Sequence, residues 1–234
     1  MIFMKKFLQK NWFIAITLLV ANLFFAGSSS LAANITSTGT GGNWNATTSW
    51  VGGVVPGALD NVTIANGATV AVTANASCTN LTFGGTSAAS TLNISSGVTL
   101  AVSATITIPR TNGGVAANTL AVGAGILNAG SIAFTNGGGT NRHQITISTG
   151  TVTVAGNVDC TGSTGSATIT FTGAGTFNVG GYFLTSINGV GFDNGTLNAG
   201  AGTINFDGNA AAQTITVSVY TFNNVLINLS LIHI

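Results

Sequence analysis

The sequence predicts an all-β chain wound as a parallel β-helix, a β-solenoid. Three observations predict it. Apolar and small polar residues alternate in many short runs, from Val62-Thr-Ile64 to Ile215-Thr-Val217. Beyond residue 30 no segment shows capped helical periodicity. Gly-led segments resembling one another recur along the chain, with marker glycines at 67, 97, 125, 150, 175 and 195. Period-two alternation reads as strands with one apolar face, and self-similarity at 20 to 50 residues reads as a stacked solenoid. A β-sandwich would expect hairpin turn signals, and a β-propeller repeats of about 40 residues.

The N-terminus is an address. Lys5, Lys6 and Lys10 precede an apolar run from Phe13 to Phe25, and small residues follow from Gly27 to Ala33. Basic, apolar and small in that order is a signal peptide spanning residues 1–33, cut near Ala32 or Ala33. The apolar run is short for a membrane span, which needs about 20 residues, so stable membrane insertion after cleavage is not expected.

Residues 34–64 are expected to form an N-terminal cap with the first strands. They hold Trp44, Trp50, Pro56 and Asp60. An open solenoid end exposes sheet edges. The two indole rings are assigned to covering the first coil, Pro56 to stopping strand pairing, and Asp60 to capping the turn into Val62. The competing role for the Trp pair is an aromatic platform for sugars.

Residues 65–228 carry the coils. Gly67-Ala-Thr-Val-Ala-Val matches Gly97-Val-Thr-Leu-Ala-Val, while Gly125-Ile-Leu-Asn-Ala-Gly130, Gly175-Thr-Phe-Asn-Val-Gly180 and Gly195-Thr-Leu-Asn-Ala-Gly200 share a second template. Read as one marker per coil, they give coils of 20 to 30 residues. The last six residues, Leu229 to Ile234, lack the Gly and Asn of the repeats and read as a non-native tail, with the natural protein continuing into further coils.

Composition excludes several functions. Charged residues are 4% of 234, against about 25% in an ordinary domain. After residue 33 the only basic residues are Arg110 and Arg142, and the only acidic ones Asp60, Asp159, Asp193 and Asp207, a net charge of −2. Nucleic-acid binding needs a basic surface that this chain lacks. Long-range steering of a charged partner is likewise excluded.

The stretch Gly42-Asn-Trp44, Trp50-Val-Gly-Gly-Val-Val-Pro56 and Asp60-Asn-Val-Thr-Ile64 resembles the start of large secreted surface proteins of Bacteroidota-type bacteria. The segments Leu81-Thr-Phe-Gly-Gly85, Thr203-Ile-Asn-Phe-Asp-Gly208 and Tyr220-Thr-Phe-Asn-Asn-Val-Leu-Ile-Asn228 look like their repeats. The opening is also similar to autotransporter passenger domains and, more weakly, to G8-type domains. This resemblance implies a right-handed parallel β-helix outside the cell, an adhesive or structural role, and glycans or other cell-surface polymers as partners. The C-terminal sorting domain common in such relatives is not found here.

Candidate chemistry is sparse. Two carboxylates at ~5 to 10 Å are needed for glycoside hydrolysis, and the four Asp read more simply as turn residues, as in Asp193-Asn-Gly195 and Asp207-Gly208. No cofactor motif or metal-ligand constellation is present; the only histidines are His143 and His233. No catalytic residue is therefore assigned. Cys78 and Cys160 are expected at similar places three coils apart, ~14 Å at ~4.8 Å per coil, too far for a disulfide; both are expected to be buried free thiols. One distributed feature remains: the Thr-X-Thr pairs Thr105 with Thr107, Thr151 with Thr153, Thr168 with Thr170 and Thr214 with Thr216. As a flat array, one pair per coil, they would order water and bind ice. The ordinary role for such threonines is the solvent face of a strand. The leading expectation is a non-catalytic, adhesin-like surface stalk, with an ice-binding solenoid as the alternative and a polysaccharide-degrading β-helix third.

Overall fold

The computed structural model describes residues 31–85, 87–112, 116–135, 143–160, 167–185, 195–208 and 221–228. Residues 1–30 of the expected signal peptide, the tail 229–234, and Arg142, Asp193, Thr214, Thr216 and His233 lie outside them. All that follows concerns the unit Ala32–Ile234.

In chain order the strands are β1 (Asn34–Thr36), β2 (Gly41–Asn43), β3 (Asn61–Ile64), β4 (Thr69–Val72), β5 (Ala76–Cys78), β6 (Asn80–Phe83), β7 (Thr91–Ile94), β8 (Thr99–Pro109), β9 (Asn118–Val122) and β10 (Ile126–Thr135). There follow β11 (His143–Ile147), β12 (Thr151–Val154), β13 (Val158–Asp159), β14 (Ala167–Phe171), β15 (Thr176–Val179), β16 (Phe183–Thr185), β17 (Gly195–Asn198), β18 (Thr203–Phe206) and β19 (Asn224–Ile227). One 3-10 turn, Thr47–Ser49, is the only helical element among the described residues.

Every pairing between these strands is parallel, and consecutive partners are one coil apart rather than adjacent in sequence. The chain is thus a β-solenoid with three walls. Wall 1 is the seven-stranded sheet β2-β4-β7-β9-β11-β14-β17. Wall 2 stacks β5, the first half of β8, the first half of β10, β12, β15, β18 and β19. Wall 3 stacks β1, β3, β6, the second halves of β8 and β10, β13 and β16. Strands β8 and β10 run continuously round the corner between walls 2 and 3, with a register shift between Ala129 and Ser131.

The alternation read from the sequence decides which side faces in. Val70, Leu92, Leu120, Ile145, Ile169 and Leu197 line the inside of wall 1; Leu100, Leu127, Val152, Phe177 and Ile204 line wall 2; Val62, Leu81, Ile106, Ile132 and Val158 line wall 3. Each is buried. The side chains between them face out. Because neighbouring coils put like on like, one apolar column stacks on the next and the core is continuous along the axis.

The register corrects the reading of the repeats. Gly67 leads into β4 on wall 1, whereas Gly97 leads into β8 on wall 2. Their similar sequences are two walls, not two coils. Likewise Gly195 begins β17 on wall 1, and the wall 2 counterpart of Gly175 is Gly202, since Thr176 pairs with Thr203. On wall 1 the aligned residues are Thr69, Thr91, Thr119, Gln144, Thr168 and Thr196, so coils are 22 to 28 residues long. At the corner between walls 1 and 2 a glycine column is enforced: a Cβ on Gly150 would lie 2.5 Å from the Gly125 carbonyl oxygen.

At the N-terminal end Trp44 and Trp50 are both buried, their rings edge-to-face at 5.1 Å, and Trp50 Nε1–H donates to the Trp44 carbonyl at 2.6 Å. Residues 49–51 run antiparallel to β1, bridging Ser37 to Trp50, with Thr38 N–H donating to Ser49 and Val51 N–H to Thr36. That segment covers an edge that would otherwise offer free backbone groups. Pro56 is buried, and the Asp60 carboxylate accepts from Gly57 N–H and Ala33 N–H, both at 2.8 Å, tying the turn to the start of β1.

Candidate functional site

The outward columns are the largest regular feature. On wall 1 they read Thr69, Thr91, Thr119, Gln144, Thr168 and Thr196, then Ala71, Asn93, Ala121, Thr146, Thr170 and Asn198. On wall 2 they read Thr99, Ile126, Thr151, Thr176 and Thr203, then Ala101, Asn128, Thr153, Asn178 and Asn205. Among the described strands Asp159 is the only charged residue.

Amides and hydroxyls are laddered from coil to coil. On wall 3 Asn80 Nδ2 donates to Asn61 Oδ1 at 2.8 Å, and Asn61 Nδ2 to Asn34 Oδ1 at 3.0 Å. On wall 2 Asn205 Nδ2 donates to Asn178 Oδ1 at 2.9 Å and Asn178 Nδ2 to Thr153 Oγ1 at 3.1 Å. On wall 1 Gln144 Nε2 donates to Thr119 Oγ1 at 3.0 Å, and Asn198 Nδ2 to Thr170 Oγ1 at 3.1 Å. Each ladder locks side chains to the coil spacing of ~4.8 Å.

The expected single array of Thr-X-Thr pairs is not formed, because its members stand on three different walls. Thr105 and Thr107 lie on wall 3, Thr151 and Thr153 on wall 2, and Thr168 and Thr170 on wall 1. The spacing of a pair along one strand was legible, but which wall it occupied was not. Thr105 is half-buried and shares a hydrogen bond with Ser131 at 2.9 Å. Thr107 is also half-buried, and the assignment of a shared binding face to it is corrected. Its column runs Thr36, Thr63, Thr82 and Thr107 up wall 3 and ends at Ala133, so its threonine neighbours are those of wall 3 and not the pairs on walls 1 and 2. Thr168, expected on an open surface, is buried.

A buried polar corner, absent from the sequence reading, lies where wall 3 leads into wall 1. The side chain of Asn118 is buried; its Nδ2 donates to the Gly85 and Pro109 carbonyls at 2.6 and 2.8 Å, and its Oδ1 accepts from Ser90 N–H at 2.7 Å. His143 pairs with Asn118 in the next coil. Its Nδ1–H donates to the Ile108 carbonyl at 2.7 Å, and its ring meets Phe134 edge-on at 5.0 Å. Burial pulls the imidazole down to about 4, the Ile108 carbonyl opposes this, and nearby Arg110 adds to it. Arg110 itself is buried. The signal was present: His143 and Asn118 sit at the inward parity of Ile145 and Leu120.

Cys78 and Cys160 are both free and buried. The reason differs from the one expected: Cys78 pairs with Val102 on wall 2, while Cys160 follows β13 on wall 3. Burial, then Asp60, pushes the Cys78 thiol up to about 12; burial, then Asp159, pushes Cys160 up as well. Neither thiol is an activated nucleophile. Asp60 is committed to the cap, and no group of three or more His, Cys, Asp or Glu able to hold a metal occurs among the described residues. A shallow groove on wall 2 is lined by small side chains, among them Ala101, Ser103, Asn128 and Thr153.

No family model matches the chain, and neither curated proteins nor solved structures provide a match.

Proposed function

We propose that this chain is a non-catalytic, secreted or cell-surface structural protein, adhesin-like in character, whose β-solenoid serves as a stiff stalk that contacts glycans or similar surface polymers. The observation that carries this reading is the chemistry of the three outer walls. They present Thr, Asn, Ser and Ala in coil-to-coil ladders, with Asp159 the only charged residue of the described strands. Such a surface suits many weak, uncharged hydrogen bonds spread along a rod rather than one deep site. The order of basic, apolar and small residues in positions 1–33 supports export. The winding is taken as right-handed, the hand favoured by parallel crossover connections.

The test is retention of the full chain on insoluble polysaccharides and on bacterial cells, read together with release of reducing ends. Retention without release supports the stalk reading. Release of sugar that is lost on substitution of Asp159 or Asp207 contradicts it, as does failure to bind any surface.

A further inference from the structure

We propose that wall 1 is an ice-binding face, organising water through its outward threonine column, with Thr69, Thr91 and Thr196 as the open hydroxyls. This goes beyond the stalk reading and rests on one wall only.

Three observations converge. First, wall 1 is unbroken: its pairings from β2 to β17 show no register shift, so its outward side chains form a straight two-dimensional lattice. Its repeats are ~4.8 Å between coils and ~6.7 Å between alternate residues of one strand. The first lies close to the oxygen repeat along the a-axis of hexagonal ice. Second, the leading column is threonine at five of seven positions, Gly41 and Gln144 being the exceptions. Thr69, Thr91 and Thr196 each offer a hydroxyl to a water and a methyl that leaves neighbouring waters to bond one another, whereas Thr119 Oγ1 donates to the Ala117 carbonyl and accepts from Gln144. The β-branched side chain is stiff at χ1, so little entropy is lost when water orders against it.

Third, the wall carries neither charge nor a large apolar side chain on its outer columns, and the residues just beyond its strands extend the hydroxyl rows with Thr73, Ser95, Ser148 and Thr172. Wall 2 differs: Ile126 interrupts its threonine column and is 43% exposed, and Asp207 follows β18. Thr168, only 3% exposed, is enclosed and contributes no hydroxyl to this face.

The experiment measures thermal hysteresis and ice-crystal shaping by the full chain, beside Thr91→Lys on wall 1 and Thr176→Lys at the equivalent outward position of wall 2. Circular dichroism and the melting temperature confirm that both variants fold. The expected result is hysteresis and faceted crystals with the parent chain, loss of most of that activity in Thr91→Lys, and retention in Thr176→Lys. A second variant, Thr91→Ser, keeps the hydroxyl but removes the methyl, and is expected to lose part of the activity while folding normally. The proposal is overturned if the parent chain shows no hysteresis, if both lysine variants lose activity equally, or if the chain is retained on crystalline polysaccharide with ice growth unaffected. The last outcome would leave the stalk reading intact.

Discussion

Replacing Asn118 with alanine is expected to lower stability by about 4 kcal/mol. Asn118 is fully enclosed and holds three backbone groups: the Gly85 and Pro109 carbonyls and the Ser90 N–H. Gly85 and Ser90 are buried, so each loses its partner with no access to water, at about 1–3 kcal/mol apiece. Pro109 is half-buried, so water can replace its lost partner and its share is small. For a unit of this size, about 2–4 °C per kcal/mol places the drop in melting temperature near 10 °C. The assay is thermal and urea unfolding followed by circular dichroism, with Asn93→Ala as the control. Asn93 occupies an outward, half-buried position on the same wall, and its replacement is expected to stay within about 0.5 kcal/mol. A loss below about 1 kcal/mol for Asn118→Ala would refute the reasoning, because it would mean that the corner is hydrated and its polar groups are not dependent on this amide.

Other consequences follow from the same geometry. His143 is neutral in the folded chain, with its imidazole lowered from 6.5 to about 4, so the unfolded chain binds more protons between those values. Its contribution is complete above about pH 6.5 and is lost as pH falls towards 4, by about 3 kcal/mol at most; His143→Gln is expected to flatten that part of the stability–pH curve. Gly150→Ala is expected to destabilise far more than Gly97→Ala, measured by urea unfolding. A Cβ at Gly150 meets the carbonyl oxygens of Gly125 and Gly123 at 2.5 and 2.8 Å, whereas Gly97 has open space and only its φ of +72° to relieve, at about 1–2 kcal/mol. Cys78 and Cys160 are expected to resist a thiol-reactive dye at neutral pH until the chain is denatured, when two thiols per chain should react; rapid labelling of the folded chain would contradict their burial.

What was legible in the sequence was local. Alternation such as Ile145-Thr-Ile147 assigns one face inward with no knowledge of what it packs against, because the pleat alone decides it. The repeats were harder to place. Gly67-Ala-Thr-Val-Ala-Val and Gly97-Val-Thr-Leu-Ala-Val are alike because each wall's strand begins after a corner glycine and meets the same core. Sequence similarity therefore could not separate one wall from the next. Thr107 on wall 3, Thr153 on wall 2 and Thr170 on wall 1 were accordingly grouped as one face. Only the register, Thr69 to Thr91 rather than Thr69 to Thr99, resolves this. The Asn118–His143 corner was missed for a related reason. A polar residue at an inward position reads as a break in a strand until its partners, 33 residues back at Gly85 and 35 back at Ile108, are known.

The three-walled register is tested most directly by engineered cross-links. In a chain carrying Cys78→Ala and Cys160→Ala, the pair Thr91→Cys and Thr119→Cys joins aligned positions on neighbouring coils of wall 1. At ~4.8 Å between parallel strands the two Cα atoms fall within the range a disulfide spans. The pair Thr69→Cys and Thr99→Cys joins positions that match by sequence repeat but stand on different walls. The account predicts that mild oxidation closes the first pair and leaves the second reduced. Closure of the second pair with the first left open would contradict it.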